Sequence, residues 1–184
     1  MRNAVTFALD ENVWIPLPRR GTLTPQAQGQ WVEYATAIAA RNSGAQGDAV
    51  DTLRDHLKTL VEGATDGEQF VFAPVGEPYP TVVDLMTSSD GAKWRRATEE
   101  RLLDDASGTA TVECHDVEHS RLGNARMVMR VNRDSDPLTA TVAFWGEADG
   151  RGFGLEATTD QLLVAGQIAA AGKALFETFA PRGA

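Results

Sequence analysis

The stretch that decides the fold is residues 109–158, which read TATVECHDVEHSRLGNARMVMRVNRDSDPLTATVAFWGEADGRGFGLEAT. β-Branched, aromatic and methionine side chains alternate there with small or polar ones, which is the pattern of half-buried strands. Turn residues interrupt the alternation at hairpin spacing, at Gly123, Asp136–Pro137 and Asp149–Gly150. Because short turns join antiparallel neighbours, the pattern predicts a four-stranded antiparallel meander. Its strands are Thr109–His119, Ala125–Asn132, Leu138–Trp145 and Gly152–Thr158.

Helical periodicity replaces this alternation near the amino terminus. Thr24, a capping hydroxyl, precedes Pro25, and apolar side chains then recur at helical spacing, which predicts a helix over residues 25–41. A second apolar stripe from Val50 to Val61 predicts another helix, which stops before Gly63. The two helices form a predicted helical hairpin.

Shorter patterns lie on either side of this hairpin. Alternation from Val5 to Leu9 predicts a strand that the prolines of the following segment, Pro16 and Pro18, bring to an end. Two more strands are predicted around a Pro/Gly-rich turn, in the segments 69–72 and 82–86. The charged segment 92–105 predicts a short solvated helix, with a loop as the alternative.

The chain closes with a predicted helix from about Asp160 to Phe179, and its small residues allow close packing on a neighbour. No internal repeat or linker interrupts the order of elements, so one α+β domain over residues 1–184 is predicted. The expected architecture is an α/β/α sandwich. It has a mostly antiparallel sheet, an amino-terminal helical hairpin and a long carboxy-terminal helix.

Composition narrows the classes of function. The 184 residues are 42% hydrophobic and 23% charged, so a packed core is expected. The net charge of −9 disfavours nucleic acid as a partner. A single cysteine rules out an internal disulfide framework. The chain has no apolar run long enough to span a membrane and no leader-like segment at residues 1–9, which predicts a cytoplasmic protein.

The order of elements resembles the Mog1/PsbP-like fold. The resemblance rests on Phe7-x-Leu9 and Trp14-x-Pro16-Leu17-Pro18 at the start of the chain. It also rests on the closing strand Gly152–Thr158, which leads into an amphipathic helix ending Phe176-x-x-Phe179. The resemblance implies a scaffold that works by binding protein partners, without catalysis, and a fold analogy of this kind is an associational argument for function.

One segment matches a catalytic motif. His115-Asp116-Val117-Glu118-His119 has the H-x-x-E-H form of inverted zincin peptidases. On a helix His115 and His119 could bind zinc while Glu118 acts as a base, since residues four apart share a face. The surrounding alternation instead predicts a strand, which sends Glu118 to the opposite side from the two histidines. A polar end of a strand is therefore the competing interpretation, and no cofactor is expected.

The lone cysteine offers a second chemical hypothesis. Cys114 could act as a nucleophile with His115 or His56 as its base. Neighbours along a strand point apart, however, so a buried structural cysteine is the preferred interpretation. The glycine-rich segment 150–154 joins two predicted strands and leads into no helix, so a hairpin turn is predicted there in place of a phosphate loop.

Arginines mark the predicted binding surface. Arg126 and Arg130 share one face of a predicted strand and could meet an acidic partner, unless they pair with Glu113, Glu118 or Glu147 on neighbouring strands. A second group, at the start of the solvated helix, consists of Trp94, Arg95 and Arg96.

The sequence thus predicts a non-catalytic protein-binding or accessory module of a larger assembly. The alternatives are a small zinc-dependent hydrolase built on the His115–His119 segment, and a pocket for an apolar ligand between sheet and helices. A protein partner is expected, and the sequence also allows a homo-oligomer.

Overall fold

The computed structural model describes residues 5–104, 108–119 and 121–181. In these ranges the chain forms an α+β fold of four helices and nine strands, with a mostly antiparallel sheet. It divides into two compact units, one formed by Asp10–Asp84 and the other by Met1–Leu9 together with Leu85–Ala184. None of the described helices is both long enough and apolar enough to cross a bilayer.

The Asp10–Asp84 unit packs a helical hairpin on a few strands. Its strands are β2 (Trp14–Leu17), β3 (Glu68–Phe72) and the first half of β4 (Thr81–Ser88), and its helices are α1 (Pro25–Ser43) and α2 (Asp48–Glu62). Strand β2 pairs antiparallel with β3, and β3 lies next to β4. The core joins the inner faces of both helices to one face of β2 and β3, through residues such as Leu57, Ile38 and Val71.

The helical hairpin was predicted correctly because its end signals are local. Thr24 Oγ1 accepts a hydrogen bond from Ala27 N at 3.3 Å, and Gly44 ends the helix with a φ of 74°. The prolines were expected to end the strand that begins at Val5 and no strand was predicted at Trp14–Leu17, but β2 forms there and includes Pro16. Strand β2 is an edge strand, where a proline is tolerated because its missing N–H is not needed for pairing.

The other unit contains the predicted meander. Its strands are β5 (Ala110–Asp116), β6 (Gly123–Asn132), β7 (Thr139–Ala148) and β8 (Arg151–Thr159), each antiparallel to the next. The second half of β4, residues 85–88, belongs to this unit as well. Asp149 and Gly150, with φ values of 53° and 72°, form the tight turn between β7 and β8, which confirms the hairpin predicted there.

Two helices cover opposite faces of the meander. Helix α3 (Gly91–Leu103) packs through Leu102 against Trp145, whereas helix α4 (Leu162–Glu177) packs through Phe176 against Phe144, the neighbouring residue of β7. The α/β/α sandwich is therefore complete within this unit. The segment 92–105 is helical over most of its length, and Asp105 lies outside the described residues.

Close packing of α4 was also predicted from its small residues. A Cβ atom at Gly172 would lie 2.7 Å from the Phe144 ring, so glycine lets the helix backbone approach the sheet. The predicted strand over Val5–Leu9 is shorter than expected: β1 (Val5–Thr6) pairs antiparallel with β9 (Ala180–Pro181).

Candidate functional site

The predicted arginine row does not form an open surface, because α3 lies on it. Val128, between the two arginines on the same face of β6, is fully buried against Leu102 and Trp145. Arg126 and Arg130 flank this contact, and both are only partly exposed. Of the two readings that the sequence left open, the structure favours the one in which these arginines pair within the fold, because alternation shows which residues share a face and not what covers that face.

Both arginines bind groups of α3 or β5. Arg126 donates to Glu99 Oε1 and to Asp116 Oδ1, each at 3.2 Å. Arg130 donates to the carbonyl oxygens of Leu102 at 3.1 Å and Asp104 at 2.8 Å, so its guanidinium caps the end of the helix. The acidic partners named from the sequence were therefore the wrong ones.

Trp94 and Arg95 also attach α3 to the sheet. The Trp94 ring lies on two glycines of β8, since a Cβ atom at Gly152 would overlap Trp94 Cε3 and one at Gly154 would be 2.7 Å from Cη2. Arg95 Nε donates to Glu147 Oε1 at 2.5 Å, and this hydrogen bond raises the pKa of Arg95. Arg96 is exposed and has no partner within the described part of the chain. Four of the five predicted binding residues thus hold a helix in place.

The His115–His119 segment does not have the geometry of a zincin site. His115 lies near the end of β5 with its side chain exposed, and the chain leaves the strand after Asp116. His119 Nδ1 accepts from the backbone N–H groups of Arg121 and Leu122, both at 3.0 Å. Because those groups can only donate, the Nε2–H must donate to Phe176 O, 2.9 Å away. Both nitrogens of His119 are used internally.

The structure brings together no metal-binding cluster of three or more His, Cys, Asp or Glu side chains within residues 5–104, 108–119 and 121–181. A zinc-dependent hydrolase at this segment therefore has no geometric support here.

Cys114 was expected to be buried, and this was wrong: its side chain is exposed on β5. It lies on the α3 side of the sheet, opposite Val128. Partial burial of the thiol raises its pKa, Arg126 opposes that rise, and Asp116 and Glu99 add to it. A raised pKa leaves less thiolate at neutral pH, so the site lacks the activation that a cysteine nucleophile needs.

The cavities in the Asp10–Asp84 unit are lined by helices and loops. One groove of about 480 Å³ runs between α1 and α2. It is lined by charged side chains, among them Arg54, Asp55 and Lys58. Arg54 bridges the two helices, with Nε donating to Glu33 Oε1 at 2.8 Å, and this hydrogen bond is the main cause of the raised pKa of Arg54. The groove does not match the apolar pocket proposed from the sequence.

The most distinctive surface belongs to α4, and sequence reasoning missed it. We call it the α4 outer face and define it by the exposed residues of that helix. Leu163 is 72% exposed and Leu162 is 48% exposed, and the two lie side by side at the start of the helix. The full set is Leu162, Leu163, Gly166, Ala170, Lys173, Ala174 and Glu177.

Composition carried a signal for this face. Of the 16 residues of α4, LLVAGQIAAAGKALFE, only Gln167, Lys173 and Glu177 are polar, and the first charge appears at Lys173. The predicted stripe, including Val164, Ile168 and Leu175, explains the buried side, where all three residues are indeed buried. An ordinary surface helix has charged residues on its other side. An outer side that has no charge from Leu162 to Gly172 predicts a second contact.

No protein-family model matches the chain, and no curated protein matches its sequence.

Proposed function

We propose that this chain is a non-catalytic protein-binding module that docks a helix of a protein partner on the α4 outer face. The observation that carries this proposal is an exposed helix side that is apolar over most of its length. From Leu162 through Gly172 the helix has no charged side chain, whereas the whole chain is 23% charged. Contiguous exposed apolar surface of this kind is typical of interaction sites.

The shape of the face suits a helix. Gly166, Ala170 and Ala174 lie one turn apart along its centre and are all exposed. Small side chains let two helix backbones approach closely, so the leucines at one end can pack beside the partner and the small residues beneath it. A partner helix would then bury Leu163, the most exposed large apolar residue of the described chain.

A lipid surface is a poorer match for this face. Amphipathic helices that bind membranes carry several basic residues beside the apolar side, because the phospholipid surface is negatively charged. Helix α4 contains one basic residue, Lys173, and the chain has a net charge of −9. Protein is therefore the proposed partner, and the cytoplasm is the proposed location.

A Mog1/PsbP-like relationship belongs to the same proposal. The order of strands and helices in the two units supports it only as a pattern. A scaffold without a catalytic centre is compatible with the internal use of both His119 nitrogens and with the arginines that hold α3.

The test is site-specific photo-crosslinking in the native host. A photoreactive benzophenone amino acid replaces Leu163 in one variant and Ala37, an exposed residue in the middle of α1, in the control. We expect a discrete protein adduct at position 163 that disappears when Ala170→Glu is added, and none at position 37. Absence of an adduct at 163, or equal labelling at both positions, would contradict the proposal.

A further inference from the structure

We infer that the protein docked on the α4 outer face is a second copy of this chain, with the two α4 helices antiparallel around a two-fold axis at Ala170. This inference rests on the proposed function, because it identifies the partner of the same surface. Most homo-oligomers of soluble proteins are two-fold dimers, in which one patch must be complementary to itself. The α4 outer face has this property in both its shape and its charge.

The shape argument starts from residue spacing. Gly166 and Ala174 lie four residues on either side of Ala170, and Leu163 and Glu177 lie seven residues on either side, all of them exposed. In an antiparallel pair centred on Ala170, the two Ala170 residues meet, and Gly166 of each copy faces Ala174 of the other. With side chains this small, the axes of the two α4 helices can lie at the short end of the roughly 8–10 Å separation of packed helices.

The charge argument concerns the two ends of the helix. The first turn of α4 contains no acidic residue, and its N-cap Gln161 makes no capping side-chain hydrogen bond within the described chain. Asp160 is turned to Gln161 Nε2, 3.3 Å away. The positive end of the helix dipole is therefore left without a side-chain cap.

A negative group lies at the other end of the same face. Glu177 is exposed in the last turn, 3.9 Å from Lys173 Nζ, with which it forms a solvent-exposed ion pair. Antiparallel packing brings Glu177 of each copy beside the uncapped helix start of the other copy, and the symmetry makes this contact twice. The aliphatic part of Lys173 would cover the leucines of the opposite copy.

The size of the face sets the expected strength. A single helix crossing buries less than the roughly 800 Å² per partner of a standard stable interface. We therefore expect a weak, reversible dimer, with a dissociation constant on the order of 10–100 µM.

The first experiment is analytical ultracentrifugation of the full chain over a concentration series that reaches several times the expected dissociation constant. Wild type is compared with Ala170→Glu, which sets two carboxylates against each other across the axis, and with Ala37→Glu as the matched control on α1. We expect Ala170→Glu to weaken association at least tenfold and Ala37→Glu to leave it unchanged, with equal thermal stability in both variants. A wild type that stays monomeric, or an Ala170→Glu variant that associates like wild type, would overturn the inference.

A second experiment tests the register. Single cysteines are introduced in a Cys114→Ser background and oxidised with copper phenanthroline. Ala170→Cys should cross-link to itself, whereas Gly166→Cys and Ala174→Cys should cross-link only when the two variants are mixed. Self-linking of Gly166→Cys as strong as that of Ala170→Cys would contradict the antiparallel packing.

The two proposals fail separately. If the protein is monomeric in the centrifuge but position 163 forms adducts with a different protein, the dimer is refuted and the α4 outer face is still a docking site. If the protein is monomeric and position 163 forms no adduct, both proposals are refuted.

Discussion

His119 shows how a residue of a catalytic motif can serve the fold instead. Its ring joins the loop after β5 to the end of α4, through hydrogen bonds to Arg121 N, Leu122 N and Phe176 O. It also packs edge-on against the Phe176 ring, with centroids 5.4 Å apart. His115, the other histidine of the motif, is exposed. The two residues should therefore differ in their contribution to stability.

We expect His119→Phe to lower the free energy of unfolding by about 1–3 kcal/mol, because the ring contact survives but the partly buried Leu122 N–H and Phe176 carbonyl lose their partner. His115→Phe is the matched control and should change the same quantity by less than about 0.5 kcal/mol. Urea denaturation of both variants gives the comparison. Equal losses in the two variants would show that the histidines act together, as a metal site would require.

At the scale of elements, the distance between α3 and the sheet is set by glycines of β8. The indole of Trp94 lies where side chains at Gly152 and Gly154 would otherwise be. Around this contact, Arg95 pairs with Glu147 and Arg101 pairs with Glu156. Both ion pairs are only partly buried, with Arg95 31% and Arg101 51% exposed, and ion pairs near the surface contribute little to stability. We therefore attribute the attachment of α3 mainly to the packing of the aromatic ring.

Gly154→Ala should destabilise the protein by about 1–3 kcal/mol, because the new Cβ would overlap both the ring and a backbone atom that cannot move aside. That backbone atom, Phe144 O, would lie 2.5 Å from it. The control is Gly29→Ala in α1, where a Cβ atom would meet nothing within 4 Å. We expect this control to stabilise the protein by about 0.5–1 kcal/mol through helix propensity. Thermal denaturation measures the change in stability of both variants. If Gly154→Ala leaves the stability unchanged, α3 is free to shift.

At the scale of the whole molecule, the net charge of −9 acts against the proposed dimer. Two such copies repel each other through charges spread over their surfaces. Salt weakens this repulsion, because the Debye length falls from roughly 10 Å at 0.1 M salt to roughly 3 Å at 1 M. The contact face carries one positive and one negative side chain, Lys173 and Glu177, so its own net charge is zero. Repulsion between the copies should therefore respond to salt more than attraction at the interface does.

Raising sodium chloride from roughly 0.05 M to roughly 0.5 M should strengthen dimerisation several-fold, because it shortens the screening length. Sedimentation equilibrium at the two salt concentrations measures the change. Ala170→Glu should stay monomeric under both conditions, which controls for non-specific association at high salt. Weaker dimerisation at high salt would indicate an interface held mainly by charge.

The sequence by itself determined most of the elements and their order, although it did not predict β2 or β9. Local signals such as Thr24–Pro25, Gly44 and Asp149–Gly150 define helix and hairpin ends, and periodicity separates strands from helices. The antiparallel meander, the helical hairpin and the buried stripe of α4 follow from these signals, because each depends on residues close together in the chain.

Only the tertiary structure decided which faces are covered. Alternation placed Arg126, Val128 and Arg130 on one side of β6, but only the packing of α3 showed that a helix lies on this side. The same reason explains why Cys114 was expected to be buried and why the α4 outer face was missed. A sequence pattern specifies which side chains point in the same direction, whereas exposure depends on contacts between segments distant in the chain.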